Sequence, residues 1–320
     1  MKVVFMGTPE FARRPLEYLY KNTHHDILAV VTGPDKPSGR GQKLSPTAVK
    51  EAALQLDIPV FSPESLKDSG FHDQIRKIGA DIFVVVAFRI LPESLYAIPP
   101  HGSINLHGSL LPKYRGAAPI NWAIINGETE TGLTTFFLQK KVDTGDIIYQ
   151  EKVTIGSGET FDELYERMSH LAGPVLEKSL NLIEREEVIP LPQDSRLASP
   201  APKLSPEDCL IDWGFPAVHV INFVRGLSSV PGAYTYHRDR KLKILRAGIA
   251  GPRDVNDLRP GRIREDKNRL LVEVADGLVE LLEVIPEGKK LMSGAEFVRG
   301  YHPTRQDILG AKNTKEILRP

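Results

Sequence analysis

Over the first 150 positions, hydrophobic residues gather in short runs separated by segments in which they recur every three or four positions. Lys2–Met6, Ile27–Thr32, Asp81–Ala87, Ser103–Leu106 and Leu133–Leu138 are dense in Val, Ile, Leu and Phe. Such runs fit strands buried on both faces of a parallel sheet. Between them Pro9–Lys21, Thr47–Leu56, Phe71–Ile78 and Ala118–Ile125 read as helices. This alternation predicts a Rossmann-like, doubly wound α/β domain. Ile147–Val153 adds a strand. Thr160–Glu186 adds a long amphipathic helix, with Phe161, Leu164, Met168, Leu171, Val175, Leu176 and Leu180 at helical spacing and Gly173-Pro174 as a kink site.

The pattern breaks over 188–206, where Pro190, Pro192, Pro200, Pro202 and Pro206 fall together. Proline at this density continues neither a helix nor a central strand, so the stretch reads as an interdomain linker. Beyond it Gly232–Tyr236, Lys241–Ala247, Gly261–Arg264, Arg269–Glu273 and Gly277–Ile285 are short strand-like runs split by turn residues. They predict a small antiparallel, OB-like β-barrel, preceded by a helix over Asp212–Leu227. The expected organisation is a domain over 1–187, a linker over 188–206 and a barrel domain over 207–320. A length of 320 residues suits two domains at roughly 100–200 residues each.

Composition narrows the function classes. Lys and Arg total 41, as do Asp and Glu, so this is not a strongly basic nucleic-acid binder. From Ser205 onward there are 19 basic and 16 acidic residues, against 22 and 25 before it, a tilt that would rest a polyanion on the C-terminal part. One cysteine, Cys209, excludes an internal disulfide and a cysteine-based zinc site, and fits a reducing, cytoplasmic setting. No signal segment opens the chain, and no apolar stretch reaches the roughly 20 residues of a membrane span. His24-His25 has no partner at metal-ligand spacing, and no metal is expected.

The densest chemistry is Ser103-Ile104-Asn105-Leu106-His107-Gly108-Ser109-Leu110-Leu111-Pro112. Strand alternation projects Asn105 and His107 to one side, and Gly108 and Ser109 end the strand. Ligands of open α/β sheets bind beyond such carboxyl ends, although a satisfied cap of a strand end reads the same way. Val142-Asp143-Thr144-Gly145-Asp146 is a tight acidic turn; an aspartate there can orient an imidazole, or simply make the turn. Spacing alone does not bring Asp143 to His107. Gly7-Thr8-Pro9-Glu10-Phe11-Ala12 lacks the further glycines of a dinucleotide loop. Gly33–Pro46 is long for a βα loop and carries Lys36, Arg40 and Lys43, as a flexible surface loop or a phosphate-contacting arm.

Together these motifs resemble the folate-dependent formyltransferases, which include glycinamide ribonucleotide transformylases and sugar N-formyltransferases. The match runs from Asn105 through Pro112 and on through Asn126-Gly127 and Thr131-Gly132 to Asp143-Thr144-Gly145-Asp146. Arg115–Ile120 and the Asp35–Pro46 loop resemble the branch that acts on methionyl initiator tRNA. The resemblance implies Asn105, His107 and Asp143 as the catalytic trio and 10-formyltetrahydrofolate as co-substrate. It implies direct attack of the methionyl amine on the formyl carbon, by a monomer without a metal or a membrane partner. Folate contacts would come from Phe88, Ile90, Leu91, Pro92, Ser109, Leu110, Leu111, Pro112, Val142 and Asp146. Ala87-Phe88-Arg89-Ile90-Leu91-Pro92 is one residue shorter than the family's usual pterin-holding segment. The tRNA contacts would come from Lys36, Arg40 and Lys43, and from Lys241 and Lys243 in the barrel. Arg238, Arg240, Lys241, Lys243 and Arg246 form the densest basic run there, and regular alternation sets Arg246 on the face opposite Lys241 and Lys243. The alternatives are transfer to a sugar or small amine, hydrolysis of the same folate, and RNA binding on a scaffold without catalysis.

Overall fold

The structure, a computed structural model, describes every residue except 39–42, 252–257, 265, 267 and 312–320, and for Ser38 and Lys43 the backbone only. In chain order the elements are β1 (Lys2–Gly7), α1 (Glu10–Asn22), β2 (Asp26–Val31), β3 (Lys36–Ser38), β4 (Lys43–Ser45), α2 (Ala48–Gln55), β5 (Val60–Phe61), α3 (Ser69–Ile78), β6 (Ile82–Val86), α4 (Glu93–Tyr96), β7 (Ser103–His107) and β8 (Arg115–Gly116). There follow α5 (Pro119–Ile125), β9 (Glu130–Phe137), β10 (Ile147–Thr154), α6 (Phe161–Glu184), β11 (Pro200–Ala201), α7 (Ala217–Leu227), β12 (Ala233–His237), β13 (Arg240–Gly251), β14 (Ile263–Arg264), β15 (Leu271–Val274), β16 (Gly277–Pro286), β17 (Met292–Ser293) and α8 (Gly294–Tyr301). They form two compact units. One holds Met1–Pro119, Glu130–Thr154 and Tyr165–Pro202; the other holds Ile120–Thr129, Ile155–Leu164 and Lys203–Pro320. The proline-rich stretch therefore belongs to the first unit as far as Pro202.

The first unit is built on a seven-stranded sheet in the order β10-β9-β7-β6-β1-β2-β5. β1, β2, β6 and β7 run parallel, as the apolar runs predict, and the two-residue β5, which no run marked, joins parallel to β2. The Leu133–Leu138 run departs from the expectation: β9 is antiparallel to both β7 and β10. A run buried on both faces carries no signal of chain direction, which explains the difference. Strand order turns back at β1, with β2 on one side and β6 on the other, so the ligand-prone crevice lies at the carboxyl ends of these central strands. Val4, Met6, Val31, Phe83 and Val85 form one core layer with Phe71 and Ile75 of α3. Asp68 caps α3 by accepting from the Phe71 amide, and Gly79 ends it in the left-handed region.

The second unit carries an antiparallel sheet in the order β12-β13-β16-β15-β14, with β17 paired to β16. Its two edges are joined through the segment 307–310: Tyr236 and Gly310 exchange backbone hydrogen bonds of 2.9 and 3.3 Å, and Leu309 donates to the Gly261 carbonyl at 2.7 Å. This closing segment completes the expected barrel. Ile244, Val272, Val279, Leu281 and Phe297 fill the core. The helix before the barrel starts later than expected, at Ala217 instead of Asp212, because Pro216, at ψ 152°, stands outside helical geometry as its N-cap. α8 is a further helix, fixed by a Ser293–Glu296 capping box.

Candidate active site

β7 ends where the chemistry begins. Ile104 and Leu106 point into the core, whereas Asn105 and His107 share the opposite face. Asn105 is half-buried, and among the described residues its carboxamide has no hydrogen-bond partner. The His107 ring is buried, with Nε2 2.7 Å from the Tyr114 carbonyl oxygen. A carbonyl only accepts, so Nε2 carries a proton and donates. The other nitrogen, Nδ1, faces the Asp143 carboxylate, with Oδ2 at 4.0 Å. Asp143 therefore faces the ring without touching it, and the Tyr114 carbonyl sets the ring's orientation. The trio implied by the sequence motifs is thus brought to one place, with a second anchor the motifs did not reveal.

Asp143 is itself held. Its Oδ2 accepts from the Gly116 amide at 3.0 Å. Its φ of 53° is left-handed, uncommon for a residue with a side chain. Gly145 allows the turn to seat, since a Cβ there would fall 1.6 Å from the Phe137 carbonyl oxygen. Gln193, inside the stretch read as linker, donates to the carbonyls of Asp143 at 3.2 Å and Gly145 at 2.8 Å. Its Oε1 accepts from Arg115 Nη2 at 2.7 Å. Spacing gives no signal for Gln193, which acts through backbone carbonyls about fifty positions away.

The expected folate-contact residues divide by burial. Ser109 is sealed in, its hydroxyl donating to the Lys113 carbonyl at 2.6 Å while its own carbonyl accepts from Thr134. Leu111 packs against Phe136 and Ile147, and the Thr134 hydroxyl and Gln150 amide hold its backbone. Leu91 is also core, whereas Phe88, Pro92, Leu110, Pro112 and Asp146 are partly buried. Ile90, at 76% exposure, and Val142, at 50%, present apolar surface. In the shortened segment, Arg89 donates to the Pro63 and Glu64 carbonyls at 2.9 and 3.0 Å and lies 5.3 Å from the Phe88 ring centre. These contacts fix Phe88 and leave Ile90 outward.

Of the expected tRNA-contact residues, Lys36 is exposed on β3, which pairs with β4 as a small hairpin where an irregular loop was expected. Lys43 lies on β4, and Arg40 falls outside the described residues. In the barrel, a bulge at Leu245 inserts an extra residue between the pairs Ile244–Val284 and Arg246–Glu283. The bulge turns Arg246 to the face of Lys241 and Lys243, correcting the regular alternation read from sequence. Arg246 is paired with Glu163 at 2.5 Å and Arg238 with Asp307 at 2.7 Å. Lys241 lies 3.6 Å from the Tyr234 ring centre, and Lys243 donates to the Pro231 carbonyl at 3.1 Å; neither contact cancels its charge. His24 and His25 do gain a partner in space: Glu184 takes His24 at 2.6 Å and the Met1 amine at 2.8 Å. These hydrogen bonds, the amine's first, draw Glu184 down to about 2. His25 Nδ1 lies 3.2 Å from the same amine, while its Nε2 is buried without a partner among the described residues.

A formyl transferase family model matches residues 1–180, and a formyl transferase C-terminal domain model matches 203–302. The methionyl-tRNA formyltransferase of Porphyromonas gingivalis W83 is 45% identical over 310 residues, covering 94% of this chain and 96% of that protein. The methionyl-tRNA formyltransferase of Geobacter sulfurreducens is 43% identical over 318 residues, covering 99% of each. Two solved structures share the fold. WlaRD, a sugar 3N-formyl transferase, has a TM-score of 0.63 and 20% identity, covering 91% of this chain and 99% of that one. HypX from Aquifex aeolicus has a TM-score of 0.63 and 17% identity, covering 94% of this chain and 48% of that one. Among the described residues, no helix is long and apolar enough to cross a membrane. Family models over both units, and relatives above 40% identity along nearly the whole length, lead to one conclusion: the chain belongs to the methionyl-tRNA formyltransferase family.

Proposed function

We propose that this chain transfers the formyl group of 10-formyltetrahydrofolate to the α-amino group of methionyl initiator tRNA, with Asn105, His107 and Asp143 as catalytic residues. The observation that carries the reading is the Asn105 carboxamide, without a hydrogen-bond partner among the described residues, beside a His107 ring whose Nε2–H is tied to the Tyr114 carbonyl and whose Nδ1 faces Asp143. The neutral amine attacks the formyl carbon; an α-amino group with a pKa of about 7.7–8.0 is partly neutral near pH 7. The new C–N bond converts the formyl oxygen to an oxyanion. The Asn105 amide and a proton on His107 Nδ1 donate to it, and Asp143 balances the imidazolium charge. The intermediate collapses by breaking the bond to N10 of the folate. The amine's surplus proton leaves through water to Asp143, and N10 takes one up.

In this reading the 1–187 region binds folate and carries the chemistry, and 207–320 holds tRNA. Ile90 and Val142 offer apolar surface to the pterin, with Phe88, Pro92, Leu110, Pro112 and Asp146 around them. Leu91, Ser109 and Leu111 support that surface from the core. Lys36, Arg40 and Lys43 reach the acceptor stem, and Lys241 and Lys243 meet phosphates. The chain acts as a monomer, and in the cytoplasm, a reducing compartment that suits a lone, buried cysteine. Labelled formyl transfer tests the proposal with three acceptors: methionyl initiator tRNA, methionyl elongator tRNA and glycinamide ribonucleotide. Preferential labelling of the initiator is expected. Labelling of glycinamide ribonucleotide alone, or release of formate without any acceptor, would refute it.

A further inference from the structure

We propose that Gln193 is a positioning residue for formyl transfer, setting where the Asp143 carboxylate stands against His107; this rests on the catalytic trio proposed above. Both ends of the Gln193 carboxamide are used. The NH2 group donates to the Asp143 and Gly145 carbonyls at 3.2 and 2.8 Å, and the oxygen accepts from Arg115 Nε and Nη2 at 3.2 and 2.7 Å. One side chain thus joins the acidic turn to the strand that follows the Ser109–Pro112 loop.

The same arm is fastened at several other points. Leu191 and Ile147 exchange backbone hydrogen bonds of 3.0 and 2.9 Å just after the acidic turn. The Tyr114 amide donates to Ser199 Oγ at 2.9 Å, the Arg115 amide to the Ser199 carbonyl at 2.9 Å, and β8 pairs with β11. Gly116 has a φ of 131°, and a Cβ there would sit 2.4 Å from the Ala201 carbonyl oxygen, so strand and arm meet backbone to backbone. Tyr114 in turn holds His107, and Gly116 holds Asp143. The stretch 191–201 is therefore a clamp on both catalytic groups. Gln193 alone among its side chains grips the turn's carbonyls, on either side of Thr144. Asp143 in its left-handed conformation needs such a grip, because the chain would otherwise relax toward commoner geometry.

The donor and acceptor halves of Gln193 can be separated. Gln193→Glu keeps an acceptor for Arg115 and loses both donors to the turn, whereas Gln193→Met removes both at similar length. Displacement of a catalytic group by about an ångström costs up to about 100-fold, so kcat of Gln193→Glu should fall about 10- to 100-fold. Its KM for 10-formyltetrahydrofolate should stay within about twofold, since ground-state binding is not what Gln193 supports. The pH–rate profile of kcat should change with the displaced carboxylate, and the melting temperature should match wild type. Gln193→Met should show the same kcat loss with a lower melting temperature. Wild-type kcat and an unaltered pH profile in Gln193→Glu would overturn the proposal, as would kcat that falls only in proportion to unfolding. Asn105→Ala is measured alongside. If it is impaired while Gln193→Glu is not, only the positioning role fails; if Asn105→Ala is also unimpaired, the catalytic trio fails with it.

Discussion

Strands β7 and β13 both carry polar side chains that stand out in the sequence, yet the fold treats them in opposite ways. On β7 it gathers partners for them. His107 is held by the Tyr114 carbonyl and faced by Asp143, which Gly116 holds in turn, from segments up to about forty positions away; the Asn105 amide beside it has no hydrogen-bond partner among the described residues. The basic run at the start of β13 is partly neutralised instead: Arg238 and Arg246 are spent on Asp307 and Glu163, while Lys241 and Lys243 keep their charge. A charge run in sequence therefore overstates the cationic surface. A polar pair in sequence understates its site, because the groups that orient it arrive from elsewhere.

Four experiments would break or sharpen this contrast. The largest effect is expected on β7. His107→Ala removes one oxyanion donor, so turnover should fall about 100- to 1,000-fold with the fold intact; near-normal turnover would leave β7 no more special than β13. The Gln193→Glu loss of about 10- to 100-fold comes next. On β13, Lys241→Gln and Lys243→Gln should each weaken tRNA binding several-fold and flatten the log-affinity against log-salt slope by about 0.7–0.9. Arg246→Gln should leave the slope nearly unchanged, and equal slopes for all three changes would erase the distinction between paired and unpaired cations.

The smallest effect concerns stability. The Arg238 guanidinium holds Asp307 well below its ordinary range, at about 2. A depressed carboxylate stabilises the fold above its unfolded value near 3.8 and loses that contribution as pH falls toward about 2. With Arg238 half-exposed, solvent screening limits the contribution to about 1 kcal/mol. Asp307→Asn should therefore lower the melting temperature at pH 6, with the gap to wild type closing as pH approaches 2. A gap that is constant with pH would mean the carboxylate's charge is not what stabilises.

Much of this was legible before the fold. Buried parallel strands write themselves as apolar runs, so β1, β2, β6 and β7 fall where the sequence places them, as do α1, α2 and α3 to within a residue or two. The motif around Asn105 and His107 was visible because strand alternation forces both to one face. The direction of β9 was not, since pairing sense leaves no mark on a run buried on both faces. The short elements β3, β4, β5 and α4 carry too few residues for a period. Leu245 shifts Arg246 by a single inserted residue, a change of face that no alternation rule anticipates. Gln193 was hidden because the groups it grips on the acidic turn are carbonyls, which every residue has. α8 did leave a signal, Ser293 followed three positions later by Glu296 ahead of an apolar run, and could have been read.

The central claim is that Asn105 acts on the developing oxyanion and not on bound substrate. A single-turnover measurement of labelled formyl transfer to methionyl initiator tRNA, with wild type and Asn105→Ala at saturating 10-formyltetrahydrofolate, tests it directly. The account predicts a chemical step about 100- to 1,000-fold slower in the variant, with folate affinity and melting temperature unchanged. An unaltered chemical step, or a loss expressed wholly as weaker folate binding, would contradict it.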